Sequence, residues 1–147
     1  MPMSERRLDA LVVGAGPVGL MLASELRRHG ASCRIVDRAA GPTDESKAVI
    51  LHARTIEHLD QLALQEEFIE RGVSLRGVSF FQGGRRLARL GFDRVDSHYP
   101  FVLDVPQSAT EQLLGARLRA LGGEVERGVE LAGVEQEADR VTVEEVL

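Results

Sequence analysis

Tryptophan is absent from the 147 residues, tyrosine and cysteine occur once each, and Lys47 is the only lysine. A single thiol, Cys33, can form no internal disulfide, and its apolar neighbourhood marks it as a small core residue rather than a reactive one. No apolar run approaches the roughly twenty residues that cross a bilayer as a helix. The leading segment MPMSERR lacks the apolar centre of a secretory signal, so a cytoplasmic setting without a membrane partner is expected. His29, His52, His58 and His98 have no ligand spacing and no Cys-x-x-Cys beside them, and no metal site is predicted. Nucleophile elbow, Ser-His-Asp signature and zinc-protease motif are all missing.

What remains is an ordinary globular composition, 44% apolar and 28% charged, in a length that suits one core. The net charge of −5 argues against a general nucleic-acid binder. That charge is localised: residues 124–147 hold eight acids and two arginines, which leaves the preceding 123 residues at +1.

Leu8 to Arg38 carries the strongest signal. Leu8, Ala10, Leu11, Val12 and Val13 form an apolar run suited to a parallel strand covered on both faces. Gly14, Gly16 and Gly19 then satisfy G-x-G-x-x-G: one glycine for the tight turn, one for close approach to a pyrophosphate, one for helix–strand packing. Pro17 suits the first turn of a helix, where its missing N–H costs nothing, and the free N–H groups beyond it, beginning at Val18, face the phosphates. Val18, Met21, Leu22, Leu26 and His29 recur at helical spacing, and Gly30 stops the helix. Cys33, Ile35 and Val36 make a second strand. Asp37 ends it, eighteen residues beyond Gly19, where a carboxylate can accept hydrogen bonds from adenosine ribose hydroxyls. The unit predicts an ADP-containing dinucleotide and leaves FAD and NAD(P) both open.

Residues 39–46 read as a loop, and Ser46 to Arg54 leads into a helix with Ile56, Leu59 and Leu62 on one face. Leu64, Phe68 and Ile69 suggest a short second helix stopped by Gly72. From Leu75 to Leu103 the pattern predicts two or three antiparallel strands with a hairpin at Gly83-Gly84, in a sheet separate from the cofactor sheet. Pro106 ends them. Ser108 and Glu111 form a capping box for a helix carrying Leu113, Leu114, Leu118 and Leu121, which ends at Gly122-Gly123. Glu124 to Arg127 reads as a third parallel strand, and 129–134 with 141–146 as an antiparallel extension joined near Asp139.

Four ordered motifs, GAGPVGL at 14–20, DRAAGPTDESKA at 37–48, HARTIEHL at 52–59 and VPQSATEQLL at 105–114, resemble the FAD-dependent aromatic hydroxylases. These are single-component flavoprotein monooxygenases, and the likeness is to the branch acting on polyketides and phenols. The resemblance implies that Gly14, Gly16, Pro17, Val18 and Gly19 cradle the FAD pyrophosphate, that Asp37 binds the ribose and that Arg38 lies beside the adenosine. It sets Ser46 and Lys47 on a loop near the flavin, lysine replacing the family's usual arginine fork by a point charge. Arg54 would face the pyrophosphate or ribityl chain, and Gln107 would hydrogen-bond the same region. NAD(P)H would reduce the flavin, and a C4a-hydroperoxide would then hydroxylate a small aromatic substrate. The cofactor carries that chemistry, so no catalytic side chain is predicted.

The implied fold is an α/β, Rossmann-like FAD-binding βαβ sheet with inserted antiparallel strands, incomplete relative to the family. Residues 1–74 and 105–147 form the FAD-binding portion, and 75–104 are inserted strands of a substrate-side sheet. A parallel three-stranded sheet with parts of two antiparallel sheets is expected. The family's Asp-Gly strand and Gly-Asp motif are not found, so the chain reads as an N-terminal portion, completed by further polypeptide, a complementing chain or a homo-oligomer. A stand-alone dinucleotide-binding module and a non-catalytic truncated partner are the alternatives.

Overall fold

The computed structural model describes residues 7–42 and 48–146, so Ser46 and Lys47 lie outside the described residues. In chain order the elements are β1 (Ala10–Val13), α1 (Pro17–Arg28), β2 (Cys33–Asp37), β3 (Ala48–Leu51), α2 (Ala53–Gln61), α3 (Gln65–Arg71), β4 (Val73–Leu75), β5 (Gly77–Gln82), β6 (Arg85–Gly91), β7 (Val102–Pro106), α4 (Gln107–Ala120), β8 (Val125–Arg127), β9 (Glu130–Gln136) and β10 (Val141–Val146). They divide into two compact units, residues 1–43 with 114–147, and residues 44–113.

In the first unit a parallel sheet runs in the order β1-β2-β8, with Val12 opposite Ile35 and Val36 opposite Glu126. The central strand is the most deeply buried, with Cys33, Ile35 and Val36 all covered, compared with Val12 alone in β1. Helix α1 buries Leu20, Ala23 and Ser24. This differs from the face that the periodicity predicts, because Val18 and Leu22 are 82% and 49% exposed. Close helix–strand packing selects small side chains over large ones: the Cys33 thiol lies 3.7 Å from the Ala23 carbonyl. The buried Ser24 hydroxyl is satisfied by donating to the Leu20 carbonyl at 2.8 Å, within the helix.

The β9–β10 hairpin is tied to this sheet by one arginine. Arg34 on β2 donates to both carboxylate oxygens of Glu126 on β8 at 2.7 and 2.6 Å, and to those of Glu145 on β10 at 3.0 and 3.1 Å. These charged partners, Glu126 foremost, push the Arg34 guanidinium still further above its ordinary range.

The second unit centres on β7, which pairs antiparallel with β3 on one side and β4 on the other. Ala48–Leu51 is therefore a strand, where the sequence reading led straight into the helix. Four apolar residues suffice for a ladder on β7. The expected stripe Ile56, Leu59 and Leu62 is buried, as are Leu64 and Phe68, together with Val102, Leu103 and Val105 of β7. Each such side chain contributes about 1.5–3 kcal/mol. Gly72 ends α3 against Leu103 and Val105, whose side chains a Cβ at that point would meet within 2.8 Å.

Strands β5 and β6 pair only with each other, joined by Gly83 and Gly84 at φ +53 and +79, the left-handed pair that a two-residue hairpin turn requires. The sequence reading joined 101–103 to these strands, whereas the structure assigns Val102–Pro106 to the β3-β7-β4 sheet. Among the described residues there are thus three antiparallel sheets rather than parts of two. Helix α4 starts at Gln107, two residues before the Ala109 that a Ser108 cap implies, so Ser108 falls in its first turn and is not the N-cap. No helix among the described residues is long and apolar enough to cross a membrane.

Candidate functional site

The turn between β1 and α1 is built from backbone. Gly14 adopts φ +99 and its N–H donates to the Val36 carbonyl at 2.8 Å, fixing the turn to the neighbouring strand. A Cβ on Gly19 would strike the Gly14 carbonyl oxygen, so only glycine lets the helix come this close. Gly16 differs from both. Its φ of −75° is open to any residue, and nothing stands within 4 Å of where its Cβ would be. What glycine leaves there is approach space. Gly16 caps α1 without a side-chain hydrogen bond, Pro17 follows at the first helical position, and no acid occupies the first turn. The first turn of the helix thus carries neither a capping side chain nor an acid of its own, which leaves its N–H groups free for an anionic diphosphate. An apolar groove of about 430 Å³ adjoins the turn, lined by Leu11, Val13, Pro17, Val18 and Leu22 together with the glycines.

Asp37 is tied into the same turn. Its Oδ2 accepts the Ala15 N–H at 2.6 Å and its Oδ1 accepts the Ala39 N–H at 2.8 Å. A carboxylate has about four acceptor positions, so room remains for ribose hydroxyls. Arg127, which the sequence reading passed over, stands opposite Asp37 in the β2–β8 register. Its Nη1 lies 3.6 Å from Asp37 Oδ2 and donates to the Gly41 carbonyl at 3.3 Å. Val129 N–H donates to the Asp37 carbonyl at 3.1 Å. The signal was available: a third parallel strand ending at Arg127, beside a second ending at Asp37, brings the two ends together. Arg38 follows with its side chain exposed.

The second unit holds Arg54 and Gln107. Arg54, near the start of α2, is 75% exposed and pairs with Glu57 at 2.9 Å. Glu57 also accepts the Ser97 hydroxyl at 2.7 Å, and this bond, then Arg54, holds its carboxyl below the ordinary range. The same Ser97 oxygen accepts the Tyr99 N–H at 3.1 Å, and the Tyr99 ring meets Phe101 edge-on at 6.2 Å. Burial, then the charge of Asp60, raises the Tyr99 phenol above its usual value. His98 is exposed. Gln107 opens α4, and its amide donates to Glu111 at 2.8 Å. Gln107 follows the Ala48–Pro106 end of the β3–β7 ladder and Arg54 the Leu51–Leu103 end.

The first unit therefore assembles Gly14, Gly16, Pro17, Val18, Gly19, Asp37 and Arg38. Arg54 and Gln107 belong to the second unit, and Lys47 lies outside the described residues.

A family model described as FAD binding domain matches residues 7–146. The rifampicin monooxygenase of Streptomyces venezuelae is 46% identical over 136 residues, which are 92% of this chain and 28% of that protein. Among solved structures, the anhydrotetracycline hydroxylase of Streptomyces rimosus superposes with a TM-score of 0.83 at 45% identity, over 95% of this chain and 28% of that one. The p-nitrophenol 4-monooxygenase of Pseudomonas putida superposes at 0.84 with 27% identity, over 92% and 35%. The chain thus spans about a third or less of the proteins it matches.

Proposed function

The chain belongs to the FAD binding domain family, and from that premise we propose that it forms the FAD-binding portion of an NAD(P)H-dependent monooxygenase that hydroxylates a phenolic or polyketide aromatic ring. The observation that carries the reading is the turn itself: an uncapped helix end, open space at Gly16 and a carboxylate bound to the turn's own backbone. The names of the matched proteins, an anhydrotetracycline hydroxylase, a rifampicin monooxygenase and a p-nitrophenol 4-monooxygenase, support the substrate class.

In this reading Gly14, Gly16, Pro17, Val18 and Gly19 hold the pyrophosphate by backbone N–H groups and the helix dipole. Asp37 keeps the turn in shape through Ala15 and accepts the ribose hydroxyls, with Arg38 beside the adenosine. Arg54, Gln107 and Lys47 serve the diphosphate and ribityl region; Glu57 and Ser97 keep Arg54 and the 97–99 segment in register with α2. The bound flavin supplies the redox and oxygen chemistry, drawing on reduced nicotinamide. The chain's residues bind and orient it.

The domain assignment belongs to the same proposal: 1–74 and 105–147 as the FAD-binding portion, 75–104 as substrate-side strands. So do a cytoplasmic setting, where reduced nicotinamide is supplied, and completion of the site by further polypeptide, a complementing chain or a homo-oligomer. The test is oxidation of NADH or NADPH by the completed, FAD-loaded protein, this chain together with the polypeptide that completes the site, with a panel of phenols and polyketides. Substrate-stimulated oxidation with gain of one oxygen atom in the ring supports the reading, and no stimulation by any aromatic ligand overturns it. A second reading is a dinucleotide-binding module without chemistry, favoured by a turn whose distinctive features, an uncapped helix end, open space at Gly16 and the Asp37 carboxylate, call for binding alone. Tight FAD retention without oxygen consumption would select it.

A further inference from the structure

We infer that Arg127 is a positioning residue of the adenosine subsite, holding the Asp37 carboxylate and the loop behind it in the shape that receives the ribose; this rests on the FAD reading above. Asp37 has two tasks that compete for its orientation. Its Oδ2 must point back to the Ala15 N–H while Oδ1 reaches the Ala39 N–H, at 2.6 and 2.8 Å. These contacts hold the loop after β2 only as far as Ala39. Arg127 carries the constraint further, from the neighbouring strand.

Its guanidinium bridges the Asp37 carboxylate and the Gly41 carbonyl, and so spans both ends of the 37–41 loop. Two backbone bonds from the following turn, Gly128 to Ala39 and Val129 to Asp37, stitch the same loop to β8. The side chains of Arg127 and Asp37 are only 24% and 17% exposed, so the charge pair is partly shielded from solvent and salt. At 3.6 Å the Asp37 contact acts through charge rather than through a directional hydrogen bond, which leaves carboxylate lone pairs for hydroxyl donors. Arginine is therefore needed for its reach and charge, and not as a ligand to the cofactor.

Two measurements on the full 147-residue chain test this. The first is amide hydrogen exchange without ligand. Arg127→Met is expected to speed exchange at Ala15 and Ala39 about fivefold while β1 and the α1 interior keep their protection. The second is FAD titration, in which Arg127→Met weakens binding by a similar factor and Arg127→Lys, which keeps the charge, restores most of it. Faster exchange throughout the unit, or none at Ala15 and Ala39, overturns the positioning role while leaving the FAD reading intact. Failure of wild type and variants alike to bind FAD, with the local exchange pattern present, overturns the FAD reading and with it the adenosine role of Arg127.

Discussion

The β1–α1–β2 unit and the β5–β6 hairpin are both short local motifs closed by glycine turns, yet they stand at opposite extremes of self-sufficiency. In the first, β2 has a strand on each side, a helix packs closely enough to demand glycine at position 19, and an aspartate binds the turn that precedes the helix. In the second, every residue from Val78 to Gly91 is exposed, with Phe80 and Phe81 at 53% and 63%. The hairpin owes its shape to one backbone ladder and a turn, whereas the βαβ unit is fixed by backbone, core and charge together. An isolated two-stranded ribbon is marginal in water, and this one leaves its apolar side chains exposed, whereas the βαβ unit buries Leu20, Ile35 and Val36.

The sharpest way to break this comparison is to truncate equivalent aromatics. Phe68→Ala, in the fully buried core under β7, should cost about 4 kcal/mol in chemical denaturation. Next comes a pair within the turn. Gly19→Ala forces a Cβ into the Gly14 carbonyl and should cost about 3 kcal/mol, whereas Gly16→Ala should leave the melting temperature unchanged and abolish FAD retention. Equal thermal losses from both would show that Gly16 is structural too. Arg34→Met removes the clamp between β8 and β10 and should cost about 1 kcal/mol, shrinking as salt is added; a salt-independent loss would assign Arg34 to packing instead. The smallest effect belongs to the hairpin: Phe80→Ser should change stability by less than about 0.5 kcal/mol. A larger loss there would mean that the hairpin is held by contacts beyond its own ladder.

The same contrast explains what could be read from the sequence. Where an element's partners are its neighbours in the chain, pattern suffices: the end of β1, the span of β2, the Ile56-Leu59-Leu62 stripe and the Gly83-Gly84 turn stand where spacing predicts, although β1 begins at Ala10 and not at Leu8. Where partners are distant, pattern finds the third parallel strand at Glu124 to Arg127, which pairs with β2, and misreads two others. Ala48–Leu51 is a strand because β7, more than fifty residues on, gives it a ladder, and Val102–Pro106 leaves the hairpin for the same reason. The buried face of α1 was misread because hydrophobic size points to Val18 and Leu22, while close packing buries Ala23 and Ser24. At the site, the glycines and Asp37 were legible from spacing alone. Arg127 carries no motif of its own and is found only by combining the third parallel strand that ends there with the second that ends at Asp37.

An adenosine-diphosphate subsite on the first unit is tested by titrating FAD into the chain by calorimetry, then repeating the titration in the presence of ADP and of riboflavin. FAD is expected to bind, ADP to compete for the site and riboflavin not to. Absence of FAD binding, or competition by riboflavin with none from ADP, would contradict that subsite.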